Sequence, residues 1–233
     1  MRPRAITVLG MHRSGTSALT GCLHDAGVWL GPVAARSRYN AKGNQENAAI
    51  WRLHDALLDR SGGSWFKPPP HIEWTDTLRA QRDALIADYR GHEPWAFKDP
   101  RTLLTLDGWL EALPDLALVA SIRNPIAVAR SLEARESHRI PYDEGLELWR
   151  CYNERLLAIA SARPIPIVSF DLSGDAYQRA LHRALKSIGV EPPSCILFYD
   201  ADLQHQLKAP TEEEWAALPD PVRTLYAELI MRC

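Results

Sequence analysis

Eight consecutive residues, Gly10-Met11-His12-Arg13-Ser14-Gly15-Thr16-Ser17, combine glycines, hydroxyl side chains and an arginine, a mixture suited to holding an anion. Gly10 and Gly15 carry the GxxxxG spacing of a phosphate loop, with a strand expected before it and a helix after it. Glycine lets backbone amides close around an anion, and the helix N-terminus adds the positive end of its dipole. The lysine of GxxxxGK[ST] is missing, because Thr16 stands in its place. A loop without that lysine is not built to hold the β- and γ-phosphates of a nucleoside triphosphate in the usual way. Asp171, after Ile167-Val168-Ser169-Phe170, is the one candidate for a metal-binding aspartate at a strand end. The positive charge of the loop sits instead on Arg13, two residues before Gly15.

A second constellation lies more than a hundred residues on. Leu118-Val119-Ala120-Ser121-Ile122-Arg123-Asn124-Pro125 reads as a strand ending in arginine, and Ser131 follows eight residues after Arg123. Asn124 before Pro125 reads as a helix cap. Glu46, Asp99, His12 and His54 have side chains that can take a proton. Lys98 ends a strand, at the edge where open α/β sheets bind ligands.

Arg13-Ser14-Gly15-Thr16-Ser17 resembles the 5′-phosphosulfate loop of the sulfotransferases that use 3′-phosphoadenosine 5′-phosphosulfate (PAPS). The Leu118–Pro125 stretch with Ser131 resembles that family's 3′-phosphate site. Gly43-Asn44-Gln45-Glu46-Asn47, with Ile50 and Leu53-His54-Asp55, and then Phe97-Lys98-Asp99-Pro100-Arg101, look like stretches of its bacterial members. The resemblance spans residues 5 to 172. It implies that Ser14, Gly15, Thr16 and Ser17 cradle the 5′-phosphosulfate. Arg13 then meets the charge that builds on the bridging oxygen, and Arg123 and Ser131 hold the 3′-phosphate. It also implies PAPS as donor, 3′-phosphoadenosine 5′-phosphate (PAP) as product, and no metal. Glu46 is the favoured general base, with Asp99 its competitor and His12 and His54 behind them; Lys98 contacts the sulfate or the acceptor. Trp29, Trp65, Phe66, Tyr142 and Trp149 are candidates to line an apolar acceptor pocket, of which one or two are expected to do so. The RKGxxGDW-like segment of the cytosolic enzymes is absent, and residues 198–210 with Lys208 are the candidate replacement.

These residues need a frame. Ala5–Leu9, Trp95–Lys98, Leu116–Ile122 and Ile165–Phe170 are apolar, β-rich runs of the kind buried on both faces of a parallel sheet. Helices are expected over residues 19–26, 44–60, 77–89, 142–162 and 177–188, and after Asp99-Pro100 and Asn124-Pro125; Ser64–His71 carries three consecutive prolines and is irregular. The alternation predicts an α/β fold, a three-layer sandwich with a mainly parallel central sheet and a P-loop-like phosphate-binding loop. The 233 residues read as a single domain over 1–233, with the last 40 or so, carrying two short helices, as a cap.

Composition narrows the partners. Twenty-seven Lys and Arg against 29 Asp and Glu leave a net charge of −2, so the chain is not a bulk binder of nucleic acid or of anionic membrane. Hydrophobic residues at 46% and charged residues at 24% exclude a disordered tail or a coiled coil. No apolar run approaches a membrane span, and the short one at Ala5–Met11 is no signal peptide. Cysteines 22, 151, 195 and 233 form neither a CxxC pair nor a zinc spacing, which fits a reducing, cytoplasmic setting. The expected acceptor is a small molecule or glycan bearing a hydroxyl or amine. The rival readings are a P-loop kinase using ATP and magnesium, and a non-catalytic nucleotide-binding relative. Oligomeric state is open.

Overall fold

The computed structural model describes residues 4–33, 43–172, 174–193, 198 and 209–233. Lys208 and most of the polar stretch 36–43 lie outside the described residues.

The strands are β1 (Ala5–Leu9), β2 (Trp95–Lys98), β3 (Ala117–Ile122) and β4 (Ile167–Ser169), in the order β2-β1-β3-β4. All pairings are parallel, with Val8 beside Lys98, Leu9 beside Ala120 and Ile122 beside Ser169. The chain leaves β1 for β2 on one side and returns to β3 on the other. The carboxyl ends of β1 and β3 therefore flank a switch point, where open α/β sheets place ligands.

Side chains alternate between the two faces, as the strand period of two requires. Ile6, Val8, Ala96, Val119 and Val168 pack with α1 (Thr16–Asp25) and α7 (Gly174–Ser187). Leu9, Phe97, Leu118, Ala120, Ile122 and Ile167 join the opposite core. That core also takes in α2 (Ala48–Arg60), α3 (Asp76–Tyr89), α4 (Thr102–Ala112), α5 (Pro125–Glu133) and α6 (Tyr142–Ala162). Burial on both faces explains why these strands read as unbroken apolar runs. The three-layer parallel architecture is as expected.

Three boundaries differ from expectation, each for a local reason. The helix expected from Asn44 starts at Ala48, capped by Asn47, whose side chain accepts from Ala49 N at 2.8 Å. Gln45 has φ of 56°, a left-handed conformation no helix interior accepts. Glu46 thus precedes the helix and does not sit in its first turn. Asp99 caps only a lead-in turn, accepting from Arg101 N at 2.7 Å, and α4 begins at Thr102. At the C-terminus, α8 (Glu212–Ala216) has a capping box of Thr211 and Glu214, and α9 (Asp220–Ile230) is a full helix whose Val222, Leu225 and Leu229 enter the core beside α6. Among the described residues, no helix is long and apolar enough to cross a membrane.

Candidate active site

The phosphate loop is a close-packed object. Gly10 has φ of 146°, and a Cβ there would meet the Ser121 carbonyl oxygen at 2.5 Å. Gly15, at φ of 83°, lies against Phe170, whose ring a Cβ would strike at 2.3 Å. Both positions therefore require glycine. Arg13 also has positive φ, 68°, a strain that side chains tolerate where surroundings impose it. Ser121 of β3 reaches across and donates its hydroxyl to Ser14 O at 2.6 Å, tying the loop to the sheet.

Gly15 begins α1 with no side-chain cap. The first amides of α1, including Thr16 and Ser17, lack intrahelical acceptors, as at any helix start. Such amides, together with the dipole, have the chemistry to cradle an anion. Ser14 Oγ is buried among the described residues without a hydrogen-bond partner, which fits a site completed by a ligand.

The two motifs, far apart in sequence, meet in space. Arg13 Nε donates to Ser131 Oγ at 2.7 Å, and Arg123 Nη1 donates to Arg13 O at 3.3 Å. Arg123 also lies over the Phe170 ring, 5.3 Å from its centroid. Burial pulls the Arg123 pKa down and Asp171 pulls the other way, but an arginine stays charged at neutral pH. Arg13, Arg123 and Ser131 thus converge at the carboxyl ends of β1 and β3.

Glu46 and Lys98 form a second group. Lys98 is almost wholly buried; its Nζ donates to Glu46 Oε1 at 2.7 Å and to Ser17 Oγ at 3.2 Å. Ser17 in turn donates to Asn44 O at 2.9 Å. The chain Glu46–Lys98–Ser17–Asn44 fixes the segment before α2 to the start of α1. Glu46 keeps 20% of its side chain exposed.

Asp99 sits differently. Both its oxygens accept from Arg101 Nη1, at 3.1 and 2.8 Å. Arg101 Nε is 2.8 Å from Asp55 Oδ1, and His54 Nδ1 is 3.4 Å from Asp99 Oδ1. His54 Nε2 accepts from Trp109 Nε1 at 2.9 Å, so the imidazole proton is on Nδ1, facing Asp99. Burial alone would raise the Asp99 pKa, but Arg101 and His54 hold it well below the usual carboxylate range. Arg101 had no predicted role, and its place two residues after Asp99 is the sequence signal of this ion pair.

His12 lies beside the Trp65 ring at 4.4 Å, with the Tyr152 ring at 6.1 Å. Burial, and then the charge of Arg101, lower its pKa, so it is neutral at pH 7. Its Nε2 finds no partner among the described residues. Of the candidate acceptor-pocket aromatics, Trp65 adjoins the phosphate loop through His12, and Phe66 beside it is 49% exposed. Trp29 stacks on His92 near the start of β2, at the opposite end of that strand from Lys98. Trp149 is fully buried and donates to Arg123 O at 2.9 Å. Tyr142 opens α6.

Asp171, the candidate metal aspartate, is occupied otherwise. Asn124 N and Nδ2 donate to its two oxygens at 2.7 and 2.6 Å, and Tyr226 OH donates at 3.0 Å. Of the C-terminal segment expected near the nucleotide, Phe198 is described, and it packs on Gly21 of α1.

No protein-family profile matches this chain, and no curated protein matches it. Solved structures do. The sulfotransferase domain from the Synechococcus PCC 7002 olefin synthase aligns with a TM-score of 0.60 at 16% identity, covering 98% of this chain and 95% of that one. The sulfotransferase domain from the curacin biosynthetic pathway aligns at 0.58 and 14% identity, covering 99% of each. Sulfotransferase STF1 from Mycobacterium tuberculosis H37Rv aligns at 0.53 and 15% identity, covering 98% of this chain and 77% of that one. With the phosphate loop, the parallel sheet and end-to-end alignment in agreement, the chain has the fold of the sulfotransferases.

Proposed function

We propose that this protein transfers a sulfuryl group from PAPS to a hydroxyl or amine of a small-molecule or glycan acceptor and releases PAP. The observation that carries the reading is the junction of Arg13 with Ser131 and Arg123, which brings the glycine loop and the end of β3 into direct contact. The separation of a nucleotide's 5′ and 3′ anions calls for two such motifs.

In this reading the amides and hydroxyls at Ser14, Gly15, Thr16 and Ser17 hold the 5′-phosphosulfate, and Arg123 and Ser131 hold the 3′-phosphate. The acceptor oxygen or nitrogen attacks sulfur in line. The bond from sulfur to the bridging oxygen breaks, and its electron pair passes to the phosphate of PAP. Arg13 stabilises that developing charge. Glu46 takes the acceptor's proton, and Lys98 orients the Glu46 carboxylate. Positioning and fixed charge supply the catalysis, with no resident metal in the scheme. The kinase reading fits less well: Thr16 replaces the lysine, and the Asp171 carboxylate already accepts from Asn124 and Tyr226. A reducing, cytoplasmic setting, inferred from the scattered cysteines, belongs to the same proposal.

Titration calorimetry with PAP, ADP and ATP, with and without magnesium, tests the donor. PAP is expected to bind without metal, and Arg123→Ala to weaken it by about 2 kcal/mol, the scale of a lost charged hydrogen bond. Preference for ATP with magnesium, or indifference to the 3′-phosphate, would overturn the reading.

A further inference from the structure

The turn that presents Arg123 is gripped from behind. Its carbonyl accepts from Trp149 Nε1 at 2.9 Å. The next amide, Asn124 N, donates to Asp171 Oδ2 at 2.7 Å, while Asn124 Nδ2 donates to Oδ1 at 2.6 Å. Tyr226 OH, from α9, donates to the same Oδ2 at 3.0 Å. The Tyr226 ring stands 6.1 Å from the Trp149 ring and stacks on Trp215 at 5.4 Å. One peptide unit is therefore held at both its oxygen and its nitrogen, and Tyr226 backs both contacts. At the far end of α5, Arg130 pairs with Glu214 of α8. The C-terminal helices brace the helix that carries Ser131 at each end.

The contact at Asp171 is chemically selective. Asn124 N, Asn124 Nδ2 and Tyr226 OH all donate, and a carboxylate accepts from all three. An amide in its place would turn an NH2 toward a donor. This is the physical reason for an acidic residue at a strand end that binds no phosphate and meets no lysine of a kinase loop.

We propose that α9, acting through Tyr226 and Asp171, sets the selectivity of the site for a nucleotide 3′-phosphate by fixing the turn that presents Arg123. The proposal rests on the sulfotransferase reading above. Asp171 and Tyr226 are positioning residues: their hydrogen bonds fall on the Arg123-Asn124 turn, and they reach the 5′ loop only indirectly, through Arg123 and Phe170. A guanidinium binds phosphate by matched geometry, so a loosened turn weakens the 3′ contact first.

The test is calorimetry on the full chain with PAP and with adenosine 5′-monophosphate, which lacks the 3′-phosphate. Wild type, Tyr226→Phe and Asp171→Asn are compared, each checked first by thermal melting. PAP binding is expected to weaken about threefold in Tyr226→Phe, which leaves Asp171 its two Asn124 donors, and about thirtyfold in Asp171→Asn, which turns an NH2 toward a donor. Binding of the monophosphate stays unchanged, so the affinity ratio falls. A purely structural role would weaken both nucleotides together, and either that or an unchanged ratio overturns the inference. If Asp171→Asn does not fold, Tyr226→Phe decides alone on the same ratio. A wild type that binds PAP no more tightly than the monophosphate overturns the donor reading itself, which is distinct from a PAP-selective wild type whose variants keep their selectivity.

Discussion

Two carboxylates, Glu46 and Asp99, meet the end of β2 in opposite circumstances. Glu46 faces one buried cation, Lys98, and remains partly open to solvent. Asp99 is 1% exposed, chelated by Arg101, capped onto the Arg101 amide and approached by His54. The difference separates a carboxylate still partly open to solvent from one enclosed by its partners. A carboxylate that stays partly open to solvent meets the access requirement of the proposed base. A buried carboxylate fully engaged with a guanidinium is a structural part, because protonating it leaves Arg101 without its main counter-charge. Nearness to the phosphate loop alone does not distinguish them.

The largest effect expected from this contrast is on turnover. Glu46→Gln should lower kcat by about 10²–10⁴-fold, the usual contribution of a general base, with PAP affinity unchanged. Single-turnover rates beside calorimetry check it, and unchanged turnover would remove Glu46 from the mechanism. Asp99→Asn should act on stability, lowering it by about 3 kcal/mol in denaturant unfolding, as when one partner of a buried ion pair is lost. Asp55 still faces Arg101, which keeps the loss at the low end of that range.

Acid sharpens the same contrast. The folded pKa of Asp99 lies below its unfolded value, so its contribution is complete above the ordinary carboxylate pKa of about 4 and is lost as pH falls below it. The stability gap between wild type and Asp99→Asn should hold from neutral pH to about pH 5 and close below about pH 4. A gap that closes already near pH 6 would contradict the assignment. The smallest effect concerns His12, whose folded pKa is lowered. The unfolded chain then binds the extra proton, so wild-type stability falls as pH drops through about 6.5. His12→Gln should flatten that part of the pH profile while leaving stability at pH 8 nearly unchanged, read by thermal melting across pH.

Much of the fold was legible because it is written locally. The four strands and the GxxxxG loop depend on neighbouring residues, so apolar runs and glycine spacing reveal them. Glu46 was legible as a candidate but misplaced by a turn, because the left-handed Gln45 that delays α2 leaves no compositional mark. Of five candidate aromatics, Trp149 and Trp29 fell elsewhere, one into the core and one to the far end of β2. An aromatic side chain looks alike in sequence whether it fills a core or lines a pocket. Asp171 was noticed for a metal and serves instead as an acceptor for Asn124 and Tyr226, one 47 and the other 55 residues away.

The amino-acid sequence by itself determined the parallel α/β frame, the phosphate loop after β1 and the arginine that ends β3. Those features follow from short-range periodicity, glycine conformations and helix caps, which each segment carries on its own. Tertiary structure decided that Arg13 meets Ser131, that Lys98 orients Glu46 while Arg101 locks Asp99, and that α9 stands behind Arg123. Those contacts depend on burial and on the approach of groups tens to more than a hundred residues apart. Packing and charge in a low-dielectric interior settle them, and no local pattern encodes either.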